Sequence, residues 1–134
     1  PLFTTALKLA KLHDLKIICS MPDNVSRWRK EPNFQFYTAV GPIDFLNLIK
    51  FSKYVFCGSF HAVVFSILFN KPFFAYEGMN DSRIAPLLKI TNLEQCAEIE
   101  SGQLPISYSN EKTREKLDSH ISQSIQYLKK AFND

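Results

Sequence analysis

Apolar residues in this chain gather in short, dense runs rather than in an alternating pattern. Four runs read as strands: Leu15–Ser20, Phe34–Val40, Tyr54–Cys57 and Phe73–Tyr76. Their starts recur about every 20 residues, the interval of repeated strand–helix units. Solid apolar runs mark strands covered on both faces, as in parallel sheets. Between them lie segments of helical spacing. Phe3 to His13 carries Leu7, Ala10 and Lys11 on one side, and Asp14 follows as a turn. Gly41-Pro42 closes the second run, and a proline there suits the first position of a helix. Ile43, Phe45, Leu46, Leu48 and Ile49 then continue as a helix too apolar for a surface position. Phe60 to Phe69 is a second apolar helix, stopped by Asn70-Lys71-Pro72, and Ser82 to Leu88 is a short third one. Met21-Pro22-Asp23-Asn24 reads as a turn, and Thr91 to Ser107 has only a weak pattern. Asn110 can cap a long final helix whose stripe is Leu117, Ile121, Ile125, Leu128 and Phe132. That stripe is expected to be buried on the sheet or on a neighbouring molecule, which leaves room for a homo-oligomer. The order of elements predicts an α/β fold: a Rossmann-like, doubly wound parallel sheet.

Composition changes this picture little. A chain of 134 residues fits one domain over residues 1–134, with 46% hydrophobic and 22% charged residues. Most of its 12 phenylalanines fall between Phe34 and Phe74, so the middle of the chain is the expected core. The net charge of +3 is too small and too scattered for a nucleic-acid protein. The densest basic cluster, Arg27-Trp28-Arg29-Lys30, is either a solvated loop or a rim for an anionic ligand with Trp28 as a sugar platform. Cys19, Cys57 and Cys96 are an odd count without paired spacing, the usage of a reducing compartment. Cys19 and Cys57 sit in apolar runs, where a thiol behaves as a small hydrophobe. No metal-ligand spacing, signal peptide or membrane span is visible, so a cytoplasmic location is expected, with no metal and no cofactor. The chain begins without Met inside a helical pattern, and is expected to be the carboxyl-terminal part of a longer protein whose amino-terminal lobe is absent.

In open parallel sheets, ligands bind beyond the carboxyl ends of the strands. The third strand ends at Cys57, and Gly58-Ser59-Phe60-His61 leads almost without a loop into the next helix. His61 then stands in a first helical turn, whose unpaired N–H groups attract anions, phosphate above all. A histidine there can donate to a phosphate oxygen or pass a proton to a reacting group. Ser59 suits the N-cap and could offer its hydroxyl to the same anion. The plainer reading keeps His61 as a satisfied helix-start histidine and Ser59 as a cap. Neither His13 nor His120 has partners around it in sequence, and both read as surface residues.

The surrounding block narrows the choice. Gly41-Pro42-Ile43-Asp44-Phe45-Leu46 leads to Ser52-Lys53-Tyr54-Val55-Phe56-Cys57-Gly58-Ser59-Phe60-His61. Phe65-Ser66-Ile67-Leu68-Phe69-Asn70-Lys71-Pro72-Phe73 and Asp81-Ser82-Arg83-Ile84 follow. This block resembles the polysaccharide pyruvyl transferase family, clearly over Gly41 to Leu88 and faintly elsewhere. One position departs from the family pattern: glycine usually follows the histidine, and here it is Ala62.

The resemblance implies one lobe of a two-lobed, glycosyltransferase-like (GT-B-type) architecture. It implies transfer of a pyruvyl group from phosphoenolpyruvate to two hydroxyls of a saccharide or lipid-linked saccharide, in bacterial exopolysaccharide or capsule synthesis. By the same resemblance His61 is the phosphate ligand or general acid, and Arg83 pairs with carboxylate or phosphate through its forked guanidinium. Ser59 and Phe60 are further substrate contacts, and Glu77 and Asn80, which follow the fourth strand on the ligand edge of the sheet, could contact acceptor or donor. Arg83 also fits a plain surface charge, and Glu77 a plain turn in Glu77-Gly78-Met79-Asn80. The fragment alone is expected to be inactive. Two alternatives stay open: a glycosyltransferase lobe with a nucleotide-sugar donor, and a non-catalytic binding module, since fold does not fix chemistry.

Overall fold

The structure, a computed structural model, describes residues 2–20, 28, 30–99 and 102–133. The turn expected at Met21–Asn24, with Arg27 and Arg29 of the basic cluster, lies outside the described residues. The element order is α1 (Leu2–Leu12), β1 (Ile17–Cys19), β2 (Phe34–Phe36), α2 (Pro42–Phe51), β3 (Val55–Cys57), α3 (Phe60–Leu68), β4 (Phe73–Ala75), α4 (Ile84–Thr91) and α5 (Asn110–Asn133). Two 3₁₀ turns, Gly78–Asn80 and Glu94–Ala97, flank α4.

All four expected strands form, each shorter than its apolar run, and every pairing is parallel. Among the described residues they make two two-stranded sheets, β1 with β2 and β3 with β4, rather than one open sheet. Ile17 stands opposite Phe34 in the first, and Val55 opposite Phe73 in the second. Apolar runs specify parallel strands covered by helices, but they carry no instruction for which strand pairs with which. The doubly wound single sheet is thus reduced to an α/β fold of short parallel pairs with helices.

Helix ends explain much of the local folding. Pro42 occupies the first turn of α2 as expected, and the Asp44 carboxylate accepts the Gly41 N–H at 3.1 Å. Three helices stop in one way: the residue past the end turns left-handed and the next N–H reaches back. Asp14, Asn70 and Asn92 have φ of 50°, 53° and 56°. Leu15 then bonds Ala10 O at 2.8 Å, Lys71 bonds Ser66 O at 2.8 Å, and Leu93 bonds Leu88 O at 2.8 Å. Aspartate and asparagine tolerate this conformation better than other side chains with a Cβ. Lys71-Pro72 ends α3 and aims β4, as its sequence suggests, with Pro72 O accepting the Val55 N–H at 3.0 Å.

The core lies between β3, β4, α3 and α4. Val63, Phe73, Ala75, Ile84, Leu88 and Cys96 are almost fully enclosed there, with Phe45, Phe60, Phe65 and Phe69 packed around them. Tyr108 fastens the long segment after α4 to this core. Its hydroxyl, 3.1 Å from both Ser66 O and Lys71 O, donates to carbonyls at the end of α3, and its ring meets Phe73 edge-on. A second cluster holds the β1–β2 half: Trp28 stacks on Phe34 with centroids 5.7 Å apart and on Phe3 at 6.3 Å. The half-buried indole therefore packs against the chain's own rings.

Three expectations are corrected. The α5 stripe is not buried on this chain's sheets: Leu117 touches the core, but Ile121, Ile125 and Leu128 are about half exposed and Phe132 is 86% exposed. The helix runs 24 residues and leaves the core after its first two turns. Its cap is Ser109, whose carbonyl accepts the Thr113 N–H at 3.2 Å, one residue before the expected Asn110. Nor is α2 an interior helix. Only Ile49 is buried, while Ile43 and Phe51 are 74% and 78% exposed. Hydropathy counts apolar residues, and the position of a helix decides how many of them find cover.

Candidate functional site

The strands β3 and β4 end level, because Cys57 is paired with Ala75 and the Tyr76 N–H extends the ladder to Cys57 O at 2.8 Å. Two chain segments therefore leave the same edge side by side: Gly58-Ser59 into α3, and Tyr76-Glu77 into the 3₁₀ turn. This is the carboxyl edge, where parallel sheets present ligands to helix starts.

Ser59 is the N-cap of α3 in extended conformation (φ −108°, ψ 132°), and its carbonyl accepts the Val63 N–H at 3.1 Å. Its hydroxyl makes no capping bond to the helix, which corrects the expectation of a serine side-chain cap. Its own N–H turns toward the sulfur of Cys57. The first-turn N–H groups of Phe60, His61 and Ala62 have no partner inside the helix by the geometry of any α-helix.

His61 is exposed. Its imidazole stands edge-on to the Phe60 ring with centroids 5.9 Å apart and an interplanar angle of 74°. The ring is thus not enclosed among Phe60, Phe65 and Phe69. Phe65 and Phe69 stack on each other at 6.1 Å, deeper along α3. Ala62, where the family pattern has glycine, points its methyl into the core and is 5% exposed. The added methyl thus fills packing space and not the ligand edge.

Arg83 comes to the same place from the other strand. Its guanidinium carbon lies 5.8 Å from the Phe60 ring centroid, a cation–π approach. Phe60 itself is half-buried on the core, so it serves as the common support of His61 and Arg83. Arg83 is held by Asp81, whose Oδ2 is 3.2 Å from Nη2. Oδ1 of the same carboxylate accepts the Arg83 N–H at 2.8 Å and the Ile84 N–H at 3.1 Å, starting α4. The bond from Arg83, helped by those N–H groups, lowers the Asp81 carboxyl to about 2.

Glu77 stands at the end of β4, exposed, with a left-handed backbone (φ 54°, ψ 22°). The cause is next door. Gly78 is pressed so close to the core that a Cβ there would lie 2.9 Å from Ala75 Cβ and 3.1 Å from Ile84 Cγ2. The chain must fold back sharply after Tyr76, and Glu77 takes up the turn. Its carboxylate accepts the hydroxyl of Tyr76, which raises the Tyr76 phenol above its ordinary value. Two residues of this edge carried no separate expectation, Tyr76 and Asp81. Asp81 had a readable signal, an aspartate at capping distance before Ile84 and two residues before an arginine. Among the described residues no cluster of His, Cys, Asp and Glu could hold a metal, and no helix is long and apolar enough to cross a membrane.

An exposed histidine opens a helix at the carboxyl edge of parallel strands, with an arginine over the same phenylalanine ring, in an α/β protein. The class is narrowed by comparison with known families. A family model for polysaccharide pyruvyl transferase matches residues 4–78, over half of the chain. The chain belongs to the polysaccharide pyruvyl transferase family, a family of transferases. The match begins well before Gly41, where the resemblance looked clear, and it ends at Gly78. It contains Ser59, Phe60, His61 and Glu77, whereas Arg83 lies beyond it. Searches of curated proteins and of solved structures gave no match.

Proposed function

We propose that this chain serves in transfer of a pyruvyl group from phosphoenolpyruvate to two hydroxyls of one sugar, forming a cyclic ketal and releasing phosphate. The observation that carries the reading is the exposed His61 at the start of α3, with Arg83 over the same Phe60 ring that His61 meets. In this mechanism a proton adds to the methylene carbon of the enol, making the methyl group. The carbon left electron-poor is attacked by the first sugar hydroxyl, which loses its proton. The second hydroxyl then displaces phosphate, which leaves with that hydroxyl's proton. His61 supplies the first proton or binds the leaving phosphate, and general acid help of this kind contributes about 10² to 10⁴ in rate. The first-turn N–H groups of α3 and the Arg83 guanidinium hold the anionic donor. Ser59 and Glu77 stand at the same edge as contacts for donor or acceptor. The acceptor is a saccharide or lipid-linked saccharide of an exopolysaccharide or capsule pathway, and the reaction is cytoplasmic, in keeping with three buried cysteines that form no disulfide. The lobe works as half of a GT-B-type cleft, with an amino-terminal lobe facing the carboxyl edge.

Titration calorimetry of the full-length protein with phosphoenolpyruvate and with nucleotide-sugars tests this reading. Binding of phosphoenolpyruvate is the expected result. Binding of a nucleotide-sugar instead would make the protein a glycosyltransferase. Failure to bind any phosphorylated donor would make it a non-catalytic module.

A further inference from the structure

The Asp81 carboxylate divides its two oxygens between different tasks. Oδ1 accepts the backbone N–H groups of Arg83 and Ile84, at 2.8 and 3.1 Å, and so starts α4. Oδ2 faces Nη2 of Arg83 at 3.2 Å. The second contact is not required by the first, since capping a helix uses one oxygen. Without it, an exposed arginine would range over many rotamers and lose that side-chain entropy when a ligand fixed it. With it, the guanidinium is already turned over Phe60, the ring that His61 meets edge-on. A guanidinium has five N–H donors, and Asp81 engages it from one side only.

We propose that Asp81 is a positioning residue that pre-orients Arg83 over Phe60 for an anionic donor, apart from its part in starting α4. The proposal rests on the phosphoenolpyruvate reading for the identity of the donor. It does not rest on it for the ligand's charge. Two substitutions separate the two oxygens' tasks. Asparagine caps a helix as well as aspartate does, so Asp81→Asn keeps α4 and removes the ion pair. Glutamate keeps the charge within reach of Arg83 but is a poor cap, so Asp81→Glu does the reverse.

The sign of the effect is diagnostic. If Asp81 merely adds negative charge near the site, removing that charge makes an anion bind more tightly. If it orients Arg83, removing it makes an anion bind more weakly, by roughly three- to tenfold for one misplaced charge-assisted contact. The experiment is titration calorimetry of the full-length protein with phosphoenolpyruvate and, in parallel, with inorganic phosphate. Wild type, Asp81→Asn, Asp81→Glu, Arg83→Gln and the Asp81→Asn/Arg83→Gln double variant are compared, each with its melting temperature. The expected result is weaker binding by Asp81→Asn at an unchanged melting temperature. Asp81→Glu should bind nearly as wild type while melting about 2–5 °C lower. In the Arg83→Gln background the asparagine change should have no further effect, since it acts through Arg83. Unchanged or tighter binding by Asp81→Asn, or an undiminished effect without Arg83, would overturn the proposal while leaving the donor reading intact. If the wild type binds phosphate but not phosphoenolpyruvate, the donor reading fails and the phosphate series still decides Asp81. If it binds neither, both fall.

Discussion

Replacing His61 by alanine separates catalysis from folding more cleanly than any other change at this edge. The imidazole is exposed and approaches Phe60 edge-on at 5.9 Å. Loss of such a surface side chain alters stability by no more than about 0.5 kcal/mol, and the gain in helix propensity from histidine to alanine is of similar size. The chemical loss should be far larger. Removing one general acid or one donor to a leaving phosphate costs about 10²- to 10⁴-fold in rate, or roughly 3–5 kcal/mol of barrier. The assay is phosphate release from phosphoenolpyruvate by the full-length protein with its saccharide acceptor, alongside thermal denaturation of wild type and variant. His61→Gln divides the two roles, because glutamine keeps an N–H donor but carries no transferable proton. If His61 binds phosphate, the glutamine variant retains much of the rate, and if it is the acid, glutamine falls as far as alanine. A folded His61→Ala protein with near-normal turnover would refute both roles.

Other consequences concern the frame around the site. Tyr108→Phe strands the Lys71 carbonyl that the hydroxyl now serves, while Ser66 O keeps the Lys71 N–H. It should lower stability by about 1–3 kcal/mol in urea denaturation, and an unchanged midpoint would mean that water replaces the hydroxyl. Gly78→Ala forces a methyl to 2.9 Å from Ala75 Cβ and should cost about 1–3 kcal/mol by overpacking. Ala75→Gly in the same protein should recover part of that loss, and no recovery would place the strain elsewhere. Burial pushes the thiols of Cys57 and Cys96 from 9.0 up to about 12. Because the folded thiols stay protonated while unfolded ones ionise, their contribution to stability is complete below pH 9 and is lost as pH rises from there toward 12. Denaturation midpoints at pH 8 and pH 10.5 should show the fall, and Cys57→Ala with Cys96→Ala should flatten it. An equally steep fall in that double variant would assign it to other groups.

The parts legible in the sequence were those in which neighbours along the chain are also neighbours in space. Val55-Phe56-Cys57 followed by Gly58-Ser59 announces a strand, a turn and a helix start without any tertiary knowledge. The structure has β3 end at Cys57 and α3 begin at Phe60. The same holds for Pro42 at the start of α2 and for Asp14 and Asn70 past the ends of α1 and α3. Where a distant partner decides the outcome, the pattern fell silent or misled. The stripe on α5 identifies which residues share a face, and nothing in its period says that the core ends at Leu117. Ile43 and Phe51 raise the hydropathy of α2 although neither is covered. Four apolar strands suggested one sheet, yet pairing is a choice among distant segments, and two pairs formed.

The site divides along the same line, which bears on how it works. Ser59, Phe60 and His61 are contiguous, and the strand–turn–helix geometry alone brings them to the edge. Arg83 arrives there only because several independent conditions hold together. Cys57 must pair with Ala75 so that the strands end level. Gly78 must press on Ala75 and Ile84, which turns the chain back after Tyr76. Asp81 must then start α4 and catch the guanidinium with its free oxygen. Each condition fixes position by packing or by a short hydrogen bond, so each adds rigidity to a side chain that is otherwise exposed and long. A ligand gripped between the α3 start and Arg83 would therefore meet groups set by the core and not by the ligand itself. Groups held in place beforehand need little reorganisation at the moment of reaction. If Arg83 holds the donor as proposed, the tight, buried turn at Gly78 serves that site as well as stability, although it lies among apolar side chains.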